Sequence, residues 1–472
     1  MNKRLLCAAI CVAATGSASA ADFGTAVDAL AKALSPILFG TSGTLEHSST
    51  ASLTASEANA HPEKLLTVAP GLRVGVVSAA ANLGSNIDQM VLWPKDHPTH
   101  LIACNEASDV SVQRINLATG VAEAIITSGL TSCDPVRTTP WGTVVVAEEN
   151  GTSGRVFEIL DPLGTTGVTV SGTLTSTTTS DQTHVAYRPA LGALSFEGIG
   201  ILPNGVVYTA DENRPGSGNP GGAQFKFVPS ALWTGAAPIT DLAQSPLVAG
   251  SLYGFRAGKR SGANPSDYGQ GNEFGRGTWV AVTGAAPINL RGAANTLKLT
   301  SYYRPEDTDF DKKALAAGQV RFCGTNTGED TPPSATAGDN HFGEVYCITD
   351  GSVDEAGALT STPEYQPLVI GFKEFAMMDN IAYQPGRGNW ILNEDGEGAL
   401  DSPPRNNDIW DCLDDGDDQD NLADACVRVM SLNDLTAEST GGLFDASGKT
   451  YYVSIQHNIT GHGVVLKVTG WR

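Results

Sequence analysis

Six stretches of the chain share one plan: an acidic or thiol side chain, an apolar strand, a turn, a second strand and a polar end. Asp88 leads a unit that ends at Asn105, Cys133 leads one to Glu148, and Glu197 leads one to Asp211. Glu306 leads to Asn326, Asp379 to Glu394 and Glu438 to Gln456. Carboxylates gathered at one place without a counter-charge repel, and must either protonate or bind cations. Oxygen ligands of this kind suit calcium and other hard cations, and a thiolate would add charge that suits iron.

Such a gathering needs a scaffold that brings the six leads together. From about residue 66 the sequence is rich in Gly, Thr, Val and Ser, with short apolar runs between turn signals. The turns are Pro203-Asn204-Gly205, Pro385-Gly386-Arg387-Gly388 and Ala446-Ser447-Gly448-Lys449, the chemistry that hairpins require. One hairpin recurring every several tens of residues predicts an all-β β-propeller, six-bladed, over residues 66–472. The first hairpin of each blade lies nearest the axis, so the lead residues would converge on one mouth of the central channel.

Ahead of the propeller, Thr25 to Phe39 is predicted as a helix ended or kinked by Pro36. Thr41 to Glu57 reads as a Ser/Thr/Ala linker, so residues 21–65 form a helix and linker segment. Residues 1–20 have the basic head, short apolar run and Ala18-Ser19-Ala20 site of a secretory signal peptide, and they lack a twin-arginine pair. The expected location is secreted or periplasmic, with no stable membrane insertion.

The formal net charge is −22, and −24 once the leader with its two cations is removed. A field of that sign excludes nucleic acid and anionic membranes as partners and attracts divalent cations. Six cysteines remain after the leader. Cys323 with Cys347 and Cys412 with Cys426 are natural local disulfides, and parity leaves Cys104 with Cys133.

Other features are weaker. Asp414, Asp415, Asp417 and Asp418, in the acidic run Asp411 to Asp420, are candidate surface calcium ligands without EF-hand spacing. His457 and His462 stand near the end of the last hairpin, where either could assist proton transfer. No Gly-rich phosphate loop, dinucleotide fingerprint or zinc-protease helix is present.

At these hairpins the sequence resembles the PhoX alkaline phosphatases. The matching segments are TPWGTVVVAEEN (139–150), FEGIGILPNGVVYTADE (196–212), FKFVPS (225–230), RPED (304–307), MDNIAYQP (378–385) and ESTGGLFDASGKTYYVSIQH (438–457). The resemblance implies an extracellular phosphomonoesterase with ferric iron and calcium in the propeller channel, acting on phosphorylated small molecules. It implies Cys133 as a thiolate ligand of iron, Glu197 and Glu306 as metal ligands, and Arg304 facing the phosphate. Asp211, Asp379 and Glu438 fall at further acidic positions of the pattern, and Asn105 near the family's asparagine of the first blade. With Cys133 on metal, Cys104 is expected unpaired and buried, its Cα beyond the roughly 7 Å reach of a disulfide. A monomer is expected. The competing readings are a non-catalytic calcium-binding propeller for a ligand or surface polymer, and a calcium-dependent lactonase or organophosphate hydrolase.

Overall fold

The six predicted hairpins all form. They are β1 (Ile87–Trp93) with β2 (His100–Asn105), β3 (Cys133–Thr138) with β4 (Thr143–Glu148), and β5 (Phe196–Ile201) with β6 (Val207–Asp211). The rest are β7 (Pro305–Phe310) with β8 (Val320–Asn326), β9 (Met378–Tyr383) with β10 (Trp390–Glu394), and β11 (Glu438–Phe444) with β12 (Thr450–Gln456). This is a computed structural model that describes residues 25–216, 219–257, 275–328, 342–351, 363–396, 404–416 and 421–472. The leader, Asp417 and Asp418 lie outside the described residues. Among those described, no helix is long and apolar enough to cross a membrane.

The odd-numbered strands pack side by side in the closed order β1, β3, β5, β7, β9, β11 and back to β1. Each is the inner strand of its sheet, and the partners stack outward from it. Burial follows: Thr143 to Glu148 is buried at every position, because a strand inside such a ring is covered on both faces. Six hydrophobic clusters fill the spaces between successive hairpin units, one at each interface around the ring. The fold is thus the β-propeller that the hairpins predicted. The outer strands group into five sheets rather than six, because Gly275–Val282 pairs with Glu364–Ile370 and fuses two neighbours into one nine-stranded sheet.

Closure of the ring is made by the N-terminal part of the chain. Arg73–Ser78 pairs with the last strand, Val464–Thr469, and Leu66–Val68 pairs with Cys426–Leu432. The segment expected to be a linker is docked. The Leu45 N–H donates to the Arg428 carbonyl at 2.9 Å, the Ser49 N–H to Ser431 Oγ at 2.7 Å, and the Leu53 N–H to the Asn433 carbonyl at 3.0 Å. Its backbone groups find partners on the outer strand, which polar composition does not reveal. Within it, Thr54 and Glu57 form a reciprocal capping box that starts a helix at Ala55–Ala60.

Cys104, Cys133, Cys323, Cys347, Cys412 and Cys426 are all bridged. Cys323 faces Cys347, and Cys412 faces Cys426, in paired strands with Cα atoms 4.0 Å apart in each case. Cys104 is bonded to Cys133 with Cα atoms 5.0 Å apart, which corrects the expectation of a free Cys133 and an unpaired Cys104. The reason is the ring geometry. The end of β2 and the start of β3 belong to neighbouring units whose strands pack together, so the end of one hairpin meets the beginning of the next. Peptide mapping without reduction should therefore recover Cys104 and Cys133 in one cross-linked species. The double variant C104S/C133S should stay folded but unfold earlier in denaturant, by about 3 kcal/mol for a loop of this size.

Candidate active site

Every inner strand carries a bulge, and in five of the six it lies at the start. In β1, β3, β5, β7 and β9 the first residue pairs with the last residue of the partner strand, and regular pairing resumes only three residues later. The first residue inside the bulge is an acid each time: Asp88, Asp134, Glu197, Glu306 and Asp379. A bulge re-aims side chains that a regular pleat would alternate between faces. In β11 the bulge falls later, at Gly441 and Gly442, and the acid is the first residue of the strand, Glu438. Gly441 adopts φ +62°, and the Asp88 carbonyl lies where a Cβ would be, so glycine is required there.

A second set of acids comes from the partner strands. The N–H of the residue just after β2, β4, β6, β8 and β10 donates to the carbonyl of the residue just before the matching inner strand. The pairs are Glu106 to Asn86, Glu149 to Ser132, Glu212 to Ser195, Thr327 to Arg304 and Asp395 to Met377, at 2.7–3.0 Å. This repeated clasp fixes four carboxylates above the bulges.

Together these side chains line a cavity of about 490 Å³. Its walls carry nine carboxyl groups: Asp88, Glu106, Glu149, Glu197, Glu212, Glu306, Asp379, Asp395 and Glu438. Arg214, Arg304 and His457 line it too. Asp134 lies just behind, its carboxyl hydrogen-bonded to Glu197. Glu106 and Glu149 bond carboxyl to carboxyl, as do Glu438 and Asp395, contacts that require a shared proton or a cation. The Asp88 Oδ1 and Asp134 Oδ1 atoms are buried without a hydrogen-bond donor. Below the acids Arg137 spans the ring, donating to Gln89 Oε1 at 2.5 Å, to Asp307 and to the Thr308 carbonyl at 3.1 Å.

Burial dominates the electrostatics. Loss of water first, and neighbouring carboxylates second, push Asp88 and Glu197 well above the usual carboxylate range. Asp379 and Glu438 shift the same way for the same causes. Asp134 rises to about 7 and Glu149 to about 10, both chiefly through burial. Burial also raises Glu306, although Arg304 pulls it back. Arg304 holds a left-handed backbone, φ +52°. Its Nε lies 2.8 Å from Glu212 and 3.2 Å from Glu306, and its Nη2 lies 3.6 Å from Asp395.

The structure brings Glu197, Arg304, Glu306, Asp379 and Glu438 together and leaves three expected residues outside the cavity. Asn105 is buried in its own loop, donating to the Val110 and Ala107 carbonyls and Asp109 while accepting from the Asn86 N–H. Asp211 points into its sheet, where Arg291 grips both its oxygens at 2.8 and 2.9 Å. Cys133 is buried in its disulfide and offers no thiolate. Strand parity explains all three: the residue one step further along, Glu106, Glu212 or Asp134, turns the other way. Asp414 is bound by Arg321 through both oxygens. His457 sits 2.9 Å from Glu438 in the cavity, whereas His462 bonds Asn59 and the Gly463 carbonyl elsewhere. The overlooked acids had a signal, two consecutive polar residues where each second strand ends: Asn105-Glu106, Glu148-Glu149, Asp211-Glu212 and Glu394-Asp395.

Among the described residues, no three His, Cys, Asp or Glu side chains are already arranged to hold a metal ion. The donor chemistry nonetheless fits hard cations. The cavity's nine carboxyl groups are hard oxygen donors, partly unpartnered, and outnumber the two arginines of the lining. A soft thiolate site is not on offer.

The profile of the alkaline phosphatase PhoX family matches residues 136–458. Among solved structures, Pseudomonas fluorescens PhoX in complex with vanadate, a transition state analogue, superposes with a TM-score of 0.62 at 16% identity, covering 90% of this chain and 98% of that one. Weaker likenesses of fold extend to a PQQ-bound aldose sugar dehydrogenase from Streptomyces coelicolor (TM-score 0.42, 13% identity, 85% and 99% covered). They extend also to a gluconolactonase from Xanthomonas campestris (TM-score 0.41, 10% identity, 90% and 99% covered). No curated protein matches the chain at a significant level. The family match spans more than half the chain and takes in Glu197, Glu212, Arg304, Glu306, Asp379, Asp395 and Glu438; the chain is a phosphatase that belongs to the PhoX alkaline phosphatase family.

Proposed function

We propose that the protein is an exported, metal-dependent phosphomonoesterase whose substrate enters the acidic cavity of the propeller. The observation that carries this reading is the nine-carboxylate cavity with Arg304 held inside it by three of them. Carboxyl groups that share protons when alone form a cation site when charged. Asp88, Asp134, Glu197, Glu306, Asp379 and Glu438 would hold the cations, with Glu106, Glu149 and Asp395 closing around them. Calcium is the first candidate, since every donor is a hard oxygen. Ferric iron remains compatible only through oxygen ligands, because the Cys133 sulfur is engaged. Three disulfides accord with export to an oxidising compartment.

When bound, such cations draw charge from the phosphoryl oxygens and acidify water. The chain's own contribution is positioning. The Arg304 guanidinium presents its remaining N–H groups to the cavity while Glu212, Glu306 and Asp395 fix its plane. A planar fork oriented in this way donates to two phosphoryl oxygens at once. The clasps between Glu106 and Asn86, Glu149 and Ser132, Glu212 and Ser195, and Asp395 and Met377 hold the carboxylates so that little reorganisation is needed when charge develops.

Glu306→Gln and Asp134→Asn should each lower kcat on p-nitrophenyl phosphate by about 100-fold or more, with export and circular dichroism unchanged, since each removes a charge the cations need. C104S/C133S should keep most of its kcat at 25 °C, which separates a structural disulfide from a thiolate ligand. Loss of all turnover in that folded variant would restore Cys133 to the metal site.

A second expectation concerns pH. The cavity carboxyls have folded pKa values raised above the unfolded 3.8–4.5. Between those values the native state binds more protons than the unfolded chain, so stability falls as pH rises. Chelated protein should therefore melt at progressively lower temperature from about pH 5 through 7 and on toward 10, the values reached by Asp134 and Glu149. Added calcium should restore the loss most strongly at the alkaline end, as read by calorimetry. A chelated protein with a flat profile would contradict the cation-site reading.

A further inference from the structure

We infer that Arg214 forms a second anion subsite at the rim of the cavity, and that the preferred substrates are phosphomonoesters whose leaving group itself carries an anionic group. This rests on the phosphatase reading above and specifies its substrates. Two arginines line the cavity. Arg304 is committed to three carboxylates. Arg214 is exposed, and its guanidinium makes no ion pair or hydrogen bond among the described residues.

What makes this more than a surface arginine is how its backbone is held. Arg291 binds both Asp211 oxygens and, at 2.8 Å, the Glu212 carbonyl. The Asn213 side chain donates to the Gly221 carbonyl at 2.9 Å and exchanges amide hydrogen bonds with Asn219 at 2.7 and 2.9 Å. Asn219 Nδ2 then donates to the Arg214 carbonyl at 2.6 Å. The Asn213 carbonyl in turn accepts from the Arg304 N–H at 3.3 Å. The segment that carries Arg214 is therefore tied to the one that carries Arg304, and both open on the same cavity.

A fixed backbone sets the guanidinium's starting point at the cavity rim, so on binding only the side chain's own rotamers remain to be ordered. Next to so many carboxylates, a substrate with two acidic groups needs a second cation to enter without repulsion. A guanidinium pairs with a carboxylate or a phosphate through two parallel hydrogen bonds. The shared chemistry is a second oxyanion on the leaving group, from either source.

Matched substrates test this. 3-Phosphoglycerate differs from glycerol 3-phosphate by a carboxylate, and fructose 1,6-bisphosphate differs from fructose 6-phosphate by a phosphate. With calcium-loaded full-length protein, KM for the acid-bearing member should be lower by about tenfold in at least one pair, as one charge-assisted contact warrants. R214Q should erase that preference at unchanged kcat and leave KM for p-nitrophenyl phosphate within about twofold, and R214K should restore part of it. The carboxylate pair and the phosphate pair separate the two sources. Equal KM values within both pairs, or a preference that survives in R214Q, would overturn the subsite. Calorimetric binding of the same compounds reads the discrimination without turnover. A protein that binds them selectively through Arg214 yet turns over none would refute the phosphatase reading and keep the subsite.

Discussion

The six inner strands pack in a closed ring and begin at the same end of the channel, which crowds their first residues into one space. In five of the six the strand is bulged at that point, and an acid sits in the bulge. A bulge gives up ladder pairing and is tolerated where re-aiming a side chain has a use. The carboxyl groups so gathered cannot all ionise together in a buried site. The raised pKa values of Asp88, Glu197, Asp379 and Glu438 follow from that burial and crowding.

The scaffold treats the neighbouring acids in the opposite way. Glu148 is paired with Arg155, Asp211 with Arg291 and Glu394 with Arg405, all at 2.6–2.9 Å. Breaking such a buried pair leaves an uncompensated charge and is costly. One residue further on, Glu149, Glu212 and Asp395 enter the cavity. A single step of strand parity thus divides carboxylates neutralised by arginine from those that line the cavity.

Arg304 and Arg137 tie neighbouring units together among and beneath the cavity acids. Arg304 lies among the cavity acids on a left-handed residue, a conformation that costs energy for any side chain but glycine and here lies at the site itself. Arg137 ties three units together beneath them through Gln89, Asp307 and Thr308. Both hold the ring's strands in the relative positions that the cavity requires, so the stability of the scaffold and the preorganisation of the site draw on the same contacts.

The hairpins, the propeller, two of the three disulfides and the acids Glu197, Glu306, Asp379 and Glu438 were legible in the sequence. Their signals are local: turn residues, alternating apolar runs and cysteines on directly paired strands. Asp88 was legible as the lead of its unit, as were the others. Cys133, Asn105 and Asp211 each stand one residue from an acid, Asp134, Glu106 or Glu212, that lies in or just behind the cavity wall. A hairpin's outline in sequence does not show where its bulge falls, and one residue of register reverses the face to which a side chain points. The Cys104–Cys133 bond and the hydrogen bonds that hold the Arg214 backbone depend on contacts between neighbouring units, or across a loop turned back on itself. Only the closed ring brings those residues within reach, because their proximity is set by packing across the sheets rather than by spacing along the chain.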